Sequence, residues 1–375
     1  MPVEHSYAPG LRVTGCTTIR KDRRLPIAGQ VLAKQGAKVR AEDVVAHAEL
    51  PGDVATVNAV NQLGITPAEL PAVMRKKPGD PVQRDEIIAE TKPFIKWFRS
   101  RSRSPVDGVI ETVSHITGQV IIRTAPRPVD VRAYVDGTVI EVWPGEGVLV
   151  ETTGAFVQGI LGIGGEVAGE LAIVGDGPAD TIGPADLTDA LADKIVVAGA
   201  LITREVFDRA ARIGVAALVC GGFHDADLRA LLGYDLGVAI TGHEDIRPTL
   251  IITEGFGRIA MARGTHELLA AHAGRRASAN GATQIRAGVL RPEIIIPLPK
   301  DGASAPEAAA TEGLTVGARV RIVREPGFGR LGVVKSLPPE ARRVESEAKV
   351  RVVELAFSQG ETMIVPRTNV EVIGS

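Results

Sequence analysis

Apolar and polar residues alternate in short runs through the first third of the chain, each set off by a Gly or Asp turn. Such alternation predicts half-buried β-strands. Four stretches share the shape: residues 29–36 with 39–45, residues 79–89, residues 106–113 with 118–122, and residues 135–142 with 145–150. Two carry a tighter pattern, Gly-x-x-Val-x-x-x-x-Ile/Val-Ile/Val-Ala, at residues 36–46 and 79–89. It predicts a tight turn before a strand that ends in a small residue, which lets two short sheets approach closely. Residues 156–169 are Gly-rich and read as a β-hairpin closing this β region. Their Gly162-Ile163-Gly164-Gly165 departs from a dinucleotide fingerprint: the following residues read as a strand, and the third Gly is misplaced. Residues 175–184 are a turn-rich link.

Further on, strands alternate with helices. Residues 194–198 form a short apolar strand. Thr203 caps a helix over 203–212, with Val206, Phe207, Ala210 and Ala211 on its apolar face and Gly214 as its stop. Residues 216–219 are a strand closed by Cys220-Gly221-Gly222. A second helix runs from Asp225 or Asp227 to Leu232, strands follow at 238–241 and 249–253, and a last helix at 265–273 stops at Gly274. This order implies right-handed crossovers and a largely parallel sheet.

In such sheets ligands bind beyond the carboxyl ends of the strands. That rim gathers Cys220, His224, Asp225, His243, Glu244 and Glu254. A Cys/His nucleophile pair, or a two-His metal site with carboxylates, fits these residue types. An inert core cysteine fits Cys220 as well, and helix capping accounts for Asp225 and the neighbouring glycines without a ligand. Residues 277–293, dense in hydrogen-bonding side chains, either fold over the sheet to bind an anion or return the chain to the β region with 293–297 as a strand.

Composition narrows the picture. A chain of 375 residues holds two or three domains at about 150 residues each. With 8 Phe, 3 Tyr and 2 Trp, the cores must be built from Val, Ile, Leu and Ala. Cys16 and Cys220 are the only cysteines, which excludes a disulfide framework or a cysteine zinc site. Residues 1–10 are polar and no apolar run reaches membrane-spanning length, so a cytoplasmic protein without a transmembrane segment is expected. The 43 basic and 45 acidic residues give a net charge of −2 that hides segregation. Residues 1–132 hold 20 basic against 14 acidic groups, a net of +6; residues 133–200 hold 1 against 11, a net of −10. Complementarity between parts of the chain, simple solubility, or a partner surface accounts for this.

The strand-and-turn stretches resemble the biotinyl/lipoyl-like barrel-sandwich hybrid family over residues 25–170. The resemblance implies a barrel-sandwich fold. A carrier role would need a Lys at an exposed hairpin tip, flanked by Met in the biotin type. Met74-Arg75-Lys76-Lys77 comes nearest but sits at the end of a predicted short helix (67–76), before Pro78-Gly79-Asp80, and lacks the second Met and the flanking hairpin. The most basic stretch, residues 96–103, combines Lys96, Arg99, Arg101 and Arg103 with Trp97 and Phe98. Cations with rings suit nucleic acid or an anionic membrane surface, and a solvated loop with its rings packed inward has the same composition.

Val316-Gly317-x-x-Val320-x-Ile322-Val323, then Pro326-Gly327-Phe328-Gly329-x-x-Gly332-x-Val334, resembles a KOW motif of small SH3-like barrels over residues 313–375. The resemblance implies contact with RNA or a protein, with Arg319, Arg321, Arg324, Phe328 and Arg330 as candidates. A net of +2 over residues 312–375, 10 basic against 8 acidic, is weak for RNA and leaves a protein contact at least as well supported.

The sequence therefore predicts a β-rich α/β multidomain chain: a barrel-sandwich domain (1–174), a parallel α/β domain (175–299), a linker (300–312) and a KOW SH3-like barrel (313–375). No complete catalytic motif is present. The leading expectation is a non-enzymatic scaffold that docks on a protein partner or self-assembles, with no cofactor and no metal. An RNA-associated factor and an enzyme or ligand-binding protein using the rim are the alternatives.

Overall fold

The computed structural model describes residues 11–91, 99–233, 246–284, 290–299, 314–322, 327, 330–338, 341–343, 349–357 and 361–372. The predicted strand at 238–241 and the predicted linker lie outside these residues.

The first unit opens with β1 (Val13–Arg24), β2 (Gln30–Val31), β3 (Lys38–Val39) and β4 (Val44–Leu50). The chain then leaves it for β5 (Val54–Asn58), the short helices α1 (Ala59–Leu63) and α2 (Leu70–Val73), β6 (Pro81–Val82), β7 (Ile87–Glu90), β8 (Arg101–Arg103), β9 (Gly108–Val113) and β10 (Gln119–Arg123). It returns with β11 (Arg127–Arg132), β12 (Gly137–Trp143) and β13 (Gly147–Gln158). Leu50 of β4 pairs with Arg127 of β11, and Thr124 N donates to Asp53 O at 2.9 Å. The inserted segment thus enters and leaves at one point. Each unit has its own core, around Val45, Val139 and Val150 in the outer one and around Leu70, Ile88 and Ile122 in the inserted one.

The two units are built alike. In the outer unit Gly36 N donates to Val139 O (2.7 Å) and Val139 N to Ala37 O (2.9 Å). In the inserted unit Gly79 N donates to Ile110 O (2.8 Å) and Ile110 N to Asp80 O (3.0 Å). Asp136 Oδ1 accepts from Ala41 N, and Asp107 Oδ1 from Arg84 N, both at 2.7 Å. Even the bulges correspond: β4 slips against β11 between Ala46 and Val44, and β7 slips against β8 between Ala89 and Ile87. Residues 36–46 thus match 79–89, and 131–142 match 102–113. Gly36 and Gly79 both hold left-handed φ (+82° and +93°), which the shared turn requires and which favours glycine. The predicted helix at 67–76 stops at Val73; Met74 is already extended and bridges Ala89.

The central region contains β14 (Leu161–Ile163), β15 (Glu166–Ile173), β16 (Ile195–Val197), β17 (Leu201–Ile202), α3 (Arg204–Ile213), β18 (Ala217–Phe223), α4 (Asp225–Leu232), β19 (Thr249–Phe256), α5 (Arg263–Ala271), β20 (Arg276–Asn280) and β21 (Glu293–Pro297). The strand order is β14-β19-β18-β16-β15-β20-β21-β13-β12-β3. Strands β15, β16, β18 and β19 are parallel, while β14, β20 and β21 run antiparallel to their neighbours. The sheet is therefore large and mixed, not largely parallel. β14 and β15 do not pair as the expected hairpin, and they belong to this sheet. Leu161, Ile163 and Leu171 are buried there, and a Cβ on Gly281 would meet Ile163 O at 2.2 Å, so backbones touch where a hairpin would splay. β21 pairs with both β20 and β13, which joins the sheet to the outer unit.

Helices α3 and α4 cover one face of the sheet over Val196, Leu218 and Cys220, and α5 covers the other over Val197, Val219 and Ile251. Thr203 accepts from Val206 N and Gly214 (φ +85°) ends α3, as its sequence predicts. Basic β1 runs along acidic strands: Arg20 pairs with Glu151 (2.9 Å), Arg23 with Glu166 (2.6 Å), Arg24 with Glu146 (2.6 Å) and Lys21 with Glu293. Part of the charge segregation along the sequence is thus consumed inside the fold.

The chain ends in a six-stranded sheet: β22 (Arg319–Ile322), β23 (Leu331–Ser336), β24 (Ala341–Arg343), β25 (Lys349–Ala356), β26 (Thr362–Pro366) and β27 (Val370–Val372). Its core holds Val320, Ile322, Val334, Leu355 and Val365. Among the described residues no helix is long and apolar enough to cross a membrane.

Candidate functional site

Strands β18 and β19 bring Cys220, His224, Asp225 and Glu254 to the carboxyl end of the sheet, where Cys220, Asp225 and Glu254 are committed to contacts within the fold. Cys220 is fully buried, and its thiol donates to Gly222 O at 3.2 Å. Burial pushes the thiol up to about 12, so it carries a proton at neutral pH and lacks the thiolate a nucleophile needs. The chain after β19 closes over it: a Cβ on Gly222 would lie 1.9 Å from Gly257 O, and one on Gly221 2.1 Å from Ile259 O. His224 is exposed as the residue before α4, and Asp225 pairs with Arg229 at 2.7 Å within that helix. His243 and Glu244 lie outside the described residues.

Glu254 is the rim carboxylate with an unforeseen partner. It is buried, accepts from Ala262 N at 2.9 Å at the start of α5, and accepts from Arg321 Nη2 at 2.5 Å. Arg321 belongs to β22 and is 1% exposed. Val320 and Ile322 fill the C-terminal core, so Arg321 projects from the opposite side of its strand, and that side rests on the rim. Two residues expected to meet separate ligands therefore meet each other. Arg321 does not present its guanidinium to RNA, and Glu254 does not face an open pocket. Nothing in the sequence linked them, since they belong to different β regions.

The remaining C-terminal candidates separate. Arg319 is exposed. Arg330 stacks over Phe357 at 4.0 Å and binds Glu361 through both terminal nitrogens (3.2 and 2.6 Å), a bond that holds the Glu361 carboxyl below its usual range. Arg324 and Phe328 lie outside the described residues. The carrier alternative also fails to gain a free lysine at position 76: Lys76 donates to Pro81 O (2.9 Å) and pairs with Glu86 (2.7 Å).

The basic stretch gives a different result. Lys96 and Trp97 lie outside the described residues, whereas Arg99, Arg101 and Arg103 are exposed on and beside β8. Arg99 and Arg101 converge on Glu90 at the end of β7, and so does Arg75, which sequence reasoning passed over. The repeat could have found it, because matching residues 36–46 to 79–89 places Arg75 beside β7, as Leu32 lies beside β4.

A cavity of about 630 Å³ opens at the carboxyl end of β15, lined by Asp176, Asp180, Thr181, Asp186 and Thr188. Asp180 accepts from Asp176 N and Asp186 from Gly183 N, so these carboxylates shape their own turns. Among the described residues no group of three or more His, Cys, Asp or Glu side chains could hold a metal ion. No protein-family model matches the chain, and no curated protein matches it.

Proposed function

We propose that this chain is a non-enzymatic scaffold whose β modules dock on a macromolecular partner. The nested units serve as barrel-sandwich-like modules and the C-terminal sheet as a KOW-like barrel. The observation that carries this reading is the fate of the rim. Cys220 is buried as a neutral thiol, Asp225 is paired within its helix, and Glu254 is sealed beneath Arg321. These three groups thus act as architecture. The β modules, by contrast, keep side chains exposed to a partner: Val54, Val109 and Ile116 on the inserted unit, and Val316, Val333 and Ile364 on the C-terminal one.

Purification of the tagged full chain from its native host under native conditions tests the proposal. A macromolecule that co-elutes in fixed proportion through successive columns is expected. Recovery of the bare chain alone would overturn the reading.

A further inference from the structure

We propose that the face of the inserted unit carrying Arg75, Arg99 and Arg101 binds the phosphate backbone of a single-stranded nucleic acid. This inference rests on the docking reading and names the chemistry of the partner. At its centre lies Glu90, only 4% exposed. Arg101 Nε donates to Glu90 Oε1 at 3.0 Å, Arg99 Nη1 lies 3.7 Å from the same oxygen, and Arg75 Nη2 donates to Oε2. The bond from Arg101 and the charges of Arg75, Arg101 and Arg99 hold the carboxyl below its usual range, so it stays ionised at neutral pH. One carboxylate balances one of three guanidiniums. The arginine side chains remain 53%, 39% and 46% exposed at positions 75, 99 and 101. A buried anion thus fixes cations whose outer edges face solvent, which lowers the ordering cost of binding an anion.

Geometry selects the partner. Arg103 follows Arg101 by two residues on β8, and alternate residues of a strand share a face about 6.8 Å apart. Arg84 is also exposed on this unit. Guanidinium forks match phosphate oxygens in pairs. A row of cations at strand spacing suits a chain of phosphates better than a single headgroup.

The fold does not require this cluster. The outer unit, with the same hydrogen bonds and bulges, carries Leu32, Pro128 and Asp130 where the inserted unit carries Arg75, Arg99 and Arg101, and His47 where it carries Glu90. His47 Nδ1 and Asp130 Oδ1, 2.7 Å apart, replace the Glu90–Arg101 pair. Three arginines at these positions therefore exceed what architecture asks.

The test is fluorescence anisotropy of a labelled single-stranded RNA oligonucleotide with the full chain across a salt series. Three or four phosphate contacts predict a log–log salt slope of about −2 to −3. The variant Arg75→Ala/Arg99→Ala/Arg101→Ala is expected to lose most of that slope. It leaves Glu90 without its cations, so Arg84→Glu/Arg103→Glu, which preserves the Glu90 cluster, is measured beside it and is expected to bind at least about tenfold more weakly than the parent. No binding at low salt, no salt slope, or parental binding by the second variant overturns the inference. So does displacement of the RNA by poly-glutamate or phosphatidylserine vesicles at equal charge. A partner that co-purifies after nuclease treatment and with both variants also overturns it, while leaving the docking reading standing.

Discussion

Arg321→Met tests the contact that seals the rim. The substitution keeps an unbranched apolar stem, shorter by two atoms, but removes the charge, and it leaves Glu254 as a buried carboxylate. Breaking one side of a buried pair costs about 3–5 kcal/mol. Glu254 keeps its bond from Ala262 N, so the low end, about 3 kcal/mol, applies here. That cost falls on the docked arrangement and corresponds to about a hundredfold rise in the opening equilibrium. Hydrogen exchange with mass spectrometry reads it: peptides over β19 and the start of α5, and over β22, should exchange about a hundredfold faster. Peptides over β25 and β26 should keep parental rates, which separates undocking from unfolding. Adding Glu254→Gln removes the stranded charge yet keeps an acceptor for Ala262 N, and should return the rim to within about tenfold of the parent. Parental exchange in Arg321→Met, or no recovery in the double variant, would refute the reasoning.

Further expectations follow from other sites. The Cys220 thiol is raised from 9.0 to about 12 by burial, so the folded state holds its proton longer than the unfolded state. Its contribution is complete below the unfolded value and is lost as pH rises from about 9 towards 12; melting temperature against pH should fall there, and less steeply in Cys220→Ala. Gly222→Ala drives a Cβ to 1.9 Å from Gly257 O, a backbone atom that cannot swing away, and should cost about 3 kcal/mol, read as a drop in melting temperature or loss of soluble protein. Replacing residues 51–126 with a two-residue Asn-Gly turn joins β4 directly to β11 across Leu50 and Arg127. The shortened chain should keep a cooperative thermal transition, and loss of all cooperative melting would contradict nested, separately cored units.

The sequence exposed what local chemistry decides. Thr203 and Gly214 mark the ends of α3 because a side-chain cap and a left-handed stop act within a few residues. The Gly36 and Gly79 patterns revealed a repeat because each turn needs glycine. What they could not reveal was the nesting. β4 meets β11 and β1 meets β13 across long stretches of chain, and such pairings are set by packing rather than by neighbours. The run from 156 to 169 misled for the same reason. Its glycines suit a hairpin, yet they serve close backbone approach across the sheet. At the candidate sites, residue type named Arg99, Arg101 and Arg103 but missed Arg75 and Glu90. It placed Arg321 and Glu254 on separate surfaces, although they form one buried pair.

Site-specific photo-crosslinking in the native host tests the central claim most directly. The crosslinking residue is placed in turn at Arg84 on the inserted unit, at Ile364 on the C-terminal sheet and at His224 on the rim, all exposed positions. A scaffold that docks through its β modules should yield a covalent adduct with a macromolecule from Arg84 or Ile364 and none from His224. Adducts from His224 alone, or from no position, would contradict the account.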